Sequence, residues 1–462
     1  MRKGCQACLG IQLAGFVSFL TISLLTSCSA MAATWYVSTI NNGVLSGDSW
    51  SSSFISIQDA VDAAQDGDFI WIRSGIYQIE LPIRVDKAVV IIGGFSGIES
   101  HPNERSSGTY STVDAGGEGA GMEITADVRL EGLIIQNANT EVLDLSWDDH
   151  IAKYLPAAGI YAENCSLTIH DCIIQDCIGN QDGSGSIRAS NCVLDMNDCR
   201  ILRCRGGGMW GKALGLYLES CTGDVKNLLV DDCFGGALAE QGSVAFNRCT
   251  FNKIKGTRVY GPLFTFDGDH KVSESKFISL YEGFCEFRGS TIERSTFDAT
   301  ASVRAERSSF YNCVFTGSSL SLNNSRLVNC THILGFAPEA AYSFSAAGSS
   351  TIANSIIWPA DPQTGARLLI DSSTVTYSLI YGGFEGEGNL DADPLFVDSA
   401  SSNYRLRRES PCIDAGTRGI SDLPRTDMNG IRRVIGPAPD MGAYEHSKLP
   451  FGSLCTIVLP GA

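Results

Sequence analysis

Basic residues are scarce in this chain: 34 lysines and arginines stand against 51 aspartates and glutamates, a formal charge of -17 with a pI near 4.8. That balance argues against nucleic acid and anionic membrane surfaces as partners, because both need a basic footprint. Cations and neutral sugars stay open as ligands. Charged residues of both signs make up only 18% of the chain, and no long helical stripe follows the N-terminal leader, which argues against a helical bundle. Beyond the leader no segment is long and apolar enough to span a bilayer; the run from Leu449 to Ala462 is short and interrupted by Pro and Gly. A membrane is then engaged only through a lipid anchor. Histidines number six, and the Cys-x-x-Cys pair Cys5 and Cys8 lies in the leader, so no zinc site is expected. No spacing assigns a Ser-His-Asp or Cys-His triad, and phosphate loops and nucleotide fingerprints are missing.

What is present begins with export. Arg2 and Lys3 precede an apolar stretch from Leu9 to Leu25, the layout of a secretory signal peptide over residues 1–32. Two exits are written into it. Leu25, Thr26, Ser27 and Cys28 resemble a bacterial lipobox, which would lipidate Cys28 and tether the protein to a membrane. Ala30, Met31 and Ala32 form the small-x-small pattern of ordinary cleavage, which would release it. Either route puts the mature chain outside the cell or on its outer surface.

Four later stretches repeat one pattern: a short apolar run, a turn residue, a second apolar run, then a Cys three places after an apolar residue. They are Leu167 to Cys177, Leu194 to Cys204, Val225 to Cys233 and Leu320 to Cys330. The apolar residue three before the Cys, with its counterparts where no Cys follows, falls at Ile174, Ile201, Val230, Phe251 and Phe277, in steps of 27, 29, 21 and 26. A period in this range means a solenoid, whose repeats bury their apolar faces only on one another. The register runs on to Ile356 and Leu379 through Phe297 and Phe310, which at 13 residues apart are too close for a full turn. Val, Ile, Thr and Ser dominate these stretches and Gly is abundant at 49, which suits short strands joined by turns. Within a coil the period is two: Leu167 and Ile169 point inward, Thr168 and His170 outward. Ile57, Ala60, Val61 and Ala64 have helical spacing, which predicts a short helix over Ile55 to Gln65 capping the open end.

Equivalent side chains on adjacent coils lie about 4.8 Å apart, so like residues stack into ladders. By that rule Cys165, Cys192 and Cys221 form one ladder, Cys177, Cys204 and Cys233 a second, and Cys172 and Cys199 a third in which Leu228 takes the next place. A leucine in the series marks the thiols as small core groups. Export also favours disulfides, and the rung spacing fits the Cα window of roughly 4.4 to 6.8 Å, although parallel side chains suit the torsion poorly. Both thiol states stay open.

Gly159-Ile160-Tyr161 through Leu167-Thr168-Ile169-His170-Asp171-Cys172-Ile173-Ile174 resembles the right-handed parallel β-helix repeats of bacterial surface proteins. The double Gly that often precedes the strand in such repeats is intact at Gly235-Gly236. Where the family often has Asn three after the inward apolar residue, this chain has Cys at 177, 204, 233, 313 and 330. The C-terminal stretches Asp393-Pro394-Leu395-Phe396-Val397, Tyr404-Arg405-Leu406, Ser410-Pro411-Cys412-Ile413-Asp414-Ala415-Gly416, Asp427-Met428-Asn429-Gly430 with Arg433, and Asp440-Met441-Gly442-Ala443-Tyr444-Glu445 resemble the choice-of-anchor Q domain. Trp35-Tyr36-Val37, Ser49-Trp50, Gly67 to Ile72, Gly75-Ile76-Tyr77 and Gly93-Gly94-Phe95 are similar to the opening of such proteins. The resemblance implies an all-β, pectin-lyase-like right-handed parallel β-helix over residues 33–390, a choice-of-anchor Q-like segment over 391–446 completing the solenoid, and a short tail over 447–462. It also implies display at the cell surface.

Two places hold candidate chemistry. Between Ile135 and Ile174 the step is 39, so an extra loop leaves the stack there, carrying Trp147, Asp148, Asp149 and His150. An aromatic beside carboxylates suits sugar stacking and hydrogen bonding at the wall of a groove; an ordinary polar loop whose Trp packs on the coil below is the plainer reading. Asp267, Gly268, Asp269 and His270 form an acidic turn that leaves calcium open as a ligand. Asp176, Arg203, Asp232 and Lys253 occupy equivalent outward positions on consecutive coils, and their alternating signs predict a salt-bridge ladder. No catalytic residue is assigned. The sequence points to a noncatalytic exported β-helix, adhesive or carbohydrate-binding, with a polysaccharide or cell-surface glycan as partner; a polysaccharide lyase or glycoside hydrolase is the alternative.

Overall fold

The computed structural model describes residues 32–40, 43–140, 157–180, 184–206, 215–256, 262–278, 280, 283–298, 302–317, 319–335, 343–361 and 366–447. Cys28 and the Trp147 to His150 quartet lie outside them. Among the described residues the chain winds through three parallel sheets of 12, 14 and 13 strands, plus one two-stranded hairpin. We name the three the entry, middle and exit sheets, in the order each coil visits them. One coil reads Ile160–Glu163 (entry), Ser166–His170 (middle) and Ile173–Gln175 (exit), and each strand pairs in register with its counterpart one coil on. This is a right-handed parallel β-helix. Its open end is capped by a helix at Ile57–Ala63, where Ser56 Oγ accepts the Asp59 N–H and Ile57, Ala60 and Val61 are buried.

Each corner is turned by one residue in the left-handed region. Asn164, Asp171 and Asp176 have φ of 55°, 49° and 55°, a conformation that Asn and Asp tolerate best. The residue after each, Cys165, Cys172 or Cys177, points back into the core. Its thiol donates to the carbonyl two residues earlier, as Cys172 to His170 (3.3 Å) and Cys177 to Gln175 (3.2 Å). Serines take the same places further along: Ser308, Ser325 and Ser350 continue the Cys165 column, each hydroxyl accepting the N–H of the rung before it. The described cysteines are all free and buried, and the Cys165 and Cys192 sulfurs stand 3.6 Å apart. Glycine leads several entry strands, Gly121, Gly159 and Gly215 among them, because the next coil passes too close for a side chain: a Cβ on Gly159 would meet the Ser186 carbonyl at 2.4 Å.

Two register expectations are corrected. Phe310 lies in the middle sheet, whereas the exit series runs Phe277, Phe297, Phe315, His332, so the coils there shrink to 17 or 18 residues without a short turn. Cys313 and Cys330 do not follow the exit sheet as Cys177 does. They sit at the middle-to-exit corner in the Cys172 and Cys199 column, where the Cys313 N–H meets Cys330 Sγ and the Cys330 N–H meets Ser355 Oγ.

Residues 391–446 add no coil but fold back over the outer face of the exit sheet. Phe396, Tyr404, Leu406, Cys412, Met441 and Ala443 bury Val314, Ile333, Ile356 and Leu379. An asparagine column at the middle-to-exit corner pins this clasp. Asn312 donates to Thr426 O (2.7 Å), Asn329 to Asp440 O (3.1 Å) and Asn354 to Thr417 O (2.9 Å). The charged residues of the C-terminal motif hold irregular backbone from inside. Asp427 Oδ1 accepts the N–H groups of Asn429 and Ile431, its Oδ2 accepts that of Glu445, and Asp440 accepts those of Asp414 and His446.

Glu445 is buried beside Arg433 (3.4 Å). Burial, reinforced by the Asp440 carboxyl, outweighs the pull of Arg433 and pushes its pKa up to about 7 from 4.5. The folded state therefore holds this proton more tightly than the unfolded chain. The stability it contributes is complete below about pH 4.5 and is lost as the pH rises through 7. Thermal midpoints measured from pH 5 to 8 are expected to fall more steeply for the native chain than for Glu445→Gln; parallel slopes would refute the assignment.

Candidate functional site

The outward residues that follow the exit sheet form two columns. Asn137, Asp176, Arg203, Asp232 and Lys253 turn the corner with φ between 51° and 56°. Two residues on, Asn139, Ile178 and Arg205 are bridged in sequence, as are Phe234 and Lys255. The rungs therefore read Asn/Asn, Asp/Ile, Arg/Arg, Asp/Phe and Lys/Lys along the axis.

The salt-bridge ladder is present with one change of partner. Arg203 grips Asp176 bidentately, Nε to Oδ1 and Nη2 to Oδ2 both at 2.7 Å, which raises the guanidinium pKa. Asp232 is held by Lys255 (2.7 Å) and not by Lys253, because Lys255 lies beside Phe234 on the second column. That hydrogen bond, with the nearby Lys253 and Arg205 charges, holds the Asp232 carboxyl below its usual range. The Phe234 ring faces the Arg205 guanidinium at 5.6 Å and the Lys255 ammonium at 5.7 Å, a cation–π arrangement that fixes both cations.

Asp176, Arg203, Arg205, Asp232, Phe234 and Lys255 line an open groove of about 300 Å³, with Lys253 exposed beside it. It shares Asp176 and Ile178 with a second groove of about 440 Å³ lined by Gln78, Asp114, Asn137 and Asn139. A chain of hydrogen bonds joins the two, from Gln136 to Asp114 (2.8 Å), from Gln175 to Gln136 (2.8 Å) and from Arg203 to Gln175 (3.3 Å). Partial burial would raise the Asp114 pKa, but hydrogen bonds from Gln136, the Gly116 N–H and Asn137 overcome it and keep the group ionised. Thr140, next to Asn139, donates its N–H to Ile178 O (2.9 Å) at the groove's rim.

The acidic turn at Asp267 to His270 has other employment. Asp267 faces Arg288 (3.3 Å), and His270 is buried with Nδ1 accepting the Val244 N–H. Among the described residues no three His, Cys, Asp or Glu side chains converge into a set that could hold a metal ion, and no helix is long and apolar enough to cross a membrane. Sequence reasoning found the first column and missed Arg205, Phe234 and Lys255. The missed signal was the constant offset of two, from 203 to 205, 232 to 234 and 253 to 255.

No family model matches the chain. No curated protein matches it either. Among solved structures it is similar to a pectate lyase at 14% identity, covering 91% of this chain and 98% of that one with a TM-score of 0.32. It is similar to a surface adhesin of Streptococcus pneumoniae at 11% identity, covering 69% and 85% with a TM-score of 0.31. A rhamnogalacturonan lyase follows at 12% identity, covering 81% and 95% with a TM-score of 0.32.

Proposed function

We propose that this protein is an exported surface β-helix that binds an extracellular polysaccharide along the exit-corner groove without turning it over. The observation that carries the reading is the state of the groove's two central carboxylates. Asp176 is locked by Arg203 and Asp232 by Lys255, so neither is set up as a proton donor or free base, whereas amides and cations face outward for recognition. Residues 391–446, with their likeness to the choice-of-anchor Q domain, act as a clasp on the last coils. The leader supplies export, with Cys28 as lipid attachment point or cleavage after Ala32. Trp147, Asp148, Asp149 and His150, which lie outside the described residues, would add sugar contacts through an aromatic face and carboxylates.

The test is a screen of the mature protein against acidic and neutral polysaccharides with calcium, reading both binding and the release of unsaturated or reducing-end products. Binding without product is the expected outcome. Product formation that disappears in an Asp148→Ala, Asp149→Ala variant would make the protein a lyase or glycoside hydrolase instead.

A further inference from the structure

We infer that the groove takes an anionic polysaccharide, bearing carboxylate or sulfate groups, laid along the solenoid axis. The inference rests on the glycan-binding reading and narrows it. A count of local charge is the first ground. Between Asp176 and Lys255 the two columns carry four cations and two carboxylates, and each carboxylate is already taken by one cation. Asp231, on the adjoining strand, accepts from the neutral Asn252 amide (2.8 Å) and keeps its charge, so the local surplus is one positive charge. Arg205 and Lys253 have no ion-pair partner among the described residues, and both are exposed. The chain as a whole carries -17, yet charges more than about 8 to 10 Å away are largely screened at physiological salt. A bound group therefore feels the basic groove rather than the acidic total.

Spacing is the second ground. The Arg203/Arg205 rung and the Lys253/Lys255 rung are two coils apart, about 9 to 10 Å, close to the length of a disaccharide. Phe234 stands between them with its ring facing both Arg205 and Lys255, so the two cations are held apart in advance and lose little freedom on binding. Five rungs from Asn137 to Lys253 span about 19 Å, a run suited to an extended polymer and too long for a small molecule. At the far end the second groove adds the Asn137 and Asn139 side chains, the Asn137 amide donating to Asp114 Oδ1 (3.0 Å). Arginine forks match carboxylate and sulfate oxygens equally.

The probes are polygalacturonate, a sulfated galactan and an uncharged galactan, titrated into the full mature chain at low and high salt, beside an Arg205→Ala, Lys253→Ala variant. Both replaced residues lie outside the ion pairs, and a thermal melt confirms that the variant folds. At least one anionic polymer is expected to bind tenfold or more tightly than the uncharged galactan, with salt and the double substitution each weakening it at least tenfold. Which anionic polymer binds distinguishes carboxylate from sulfate recognition. If the uncharged galactan binds as well and the variant is unaffected, the anionic inference falls while glycan binding stands. If none of the three binds, both fall.

Discussion

Arg433→Ala is expected to cost about 3–5 kcal/mol of stability, the loss typical of removing one partner from a buried ion pair. Arg433 is 1% exposed and is among the largest fully buried side chains. Its guanidinium donates to Gly442 O (3.1 Å), Ala443 O (2.8 Å), Glu445 Oε2 (3.4 Å) and Asn312 Oδ1. Burial pulls its pKa down, and Glu445, Asp427 and Asp440 oppose that pull. Alanine would leave Gly442 O and Asn312 Oδ1 without this donor and the Glu445 carboxyl without its counter-ion, although Ala443 O keeps the Met428 N–H and Glu445 keeps those of Ile435 and Asp440. Because Asn312 belongs to the solenoid and the others to residues 391–446, the damage should concentrate where the clasp meets the coils. Limited proteolysis is expected to cut residues 391–446 first in the variant, and guanidinium unfolding gives the magnitude. Arg433→Lys should rescue little, since an ammonium cannot replace the planar fork. A change below about 1 kcal/mol would mean that the clasp is held by its apolar contacts and the asparagine column without help from Arg433.

The solenoid was legible because period and pattern agree. Steps of 21 to 29 residues, strands with alternating apolar residues and an inward small residue after the corner all follow from the winding itself. What one register could not separate was the three faces of a coil. An inward residue, an outward residue, a left-handed residue and a second inward residue make an offset of three at each such corner, so Ile174 to Cys177 and Leu327 to Cys330 look identical although they belong to different corners. The same ambiguity set Phe310 beside Phe297, whose rings do approach to 6.2 Å but from different sheets. The clasp was legible as a motif and not as a structure. Its aspartates and arginine resemble a charged surface in sequence, and only the fold reveals that Asp427, Arg433 and Asp440 are at most 2% exposed. In the groove, the alternating signs of Asp176, Arg203 and Asp232 told correctly that the face is paired. The partner of Asp232 was missed because a side chain two residues beyond the corner reaches the same rung as the corner residue.

The aromatic column supplies the other large effect. Phe297 stacks on Phe277 at 4.7 Å and on Phe315 at 4.8 Å, with ring planes within 8°, and meets Phe287 and Phe310 edge-on. Offset stacking along the axis and edge contacts across it are the favoured aromatic geometries. The column exists because the rungs of a parallel sheet repeat at about 4.8 Å, which is also a comfortable ring separation. Phe297→Ala removes a fully enclosed ring from the middle of that column and is expected to cost about 3–5 kcal/mol, since the strands on both sides are tied by their ladders and cannot collapse into the gap. Phe297→Leu keeps most of the volume and should cost less than about half as much. Guanidinium unfolding followed by tryptophan emission samples both ends of the solenoid, because Trp35, Trp50 and Trp71 lie in the first coils and Trp358 in the late exit strand Ile356–Pro359. Circular dichroism of the sheets should then give the same midpoint. Coincident midpoints with a loss near 1 kcal/mol would sink the idea that the ring column is a principal source of coupling between coils. Separate midpoints, with the N-terminal coils outlasting the rest, would show that coupling passes through Phe297, as expected for a solenoid stabilised by its nearest-neighbour interfaces.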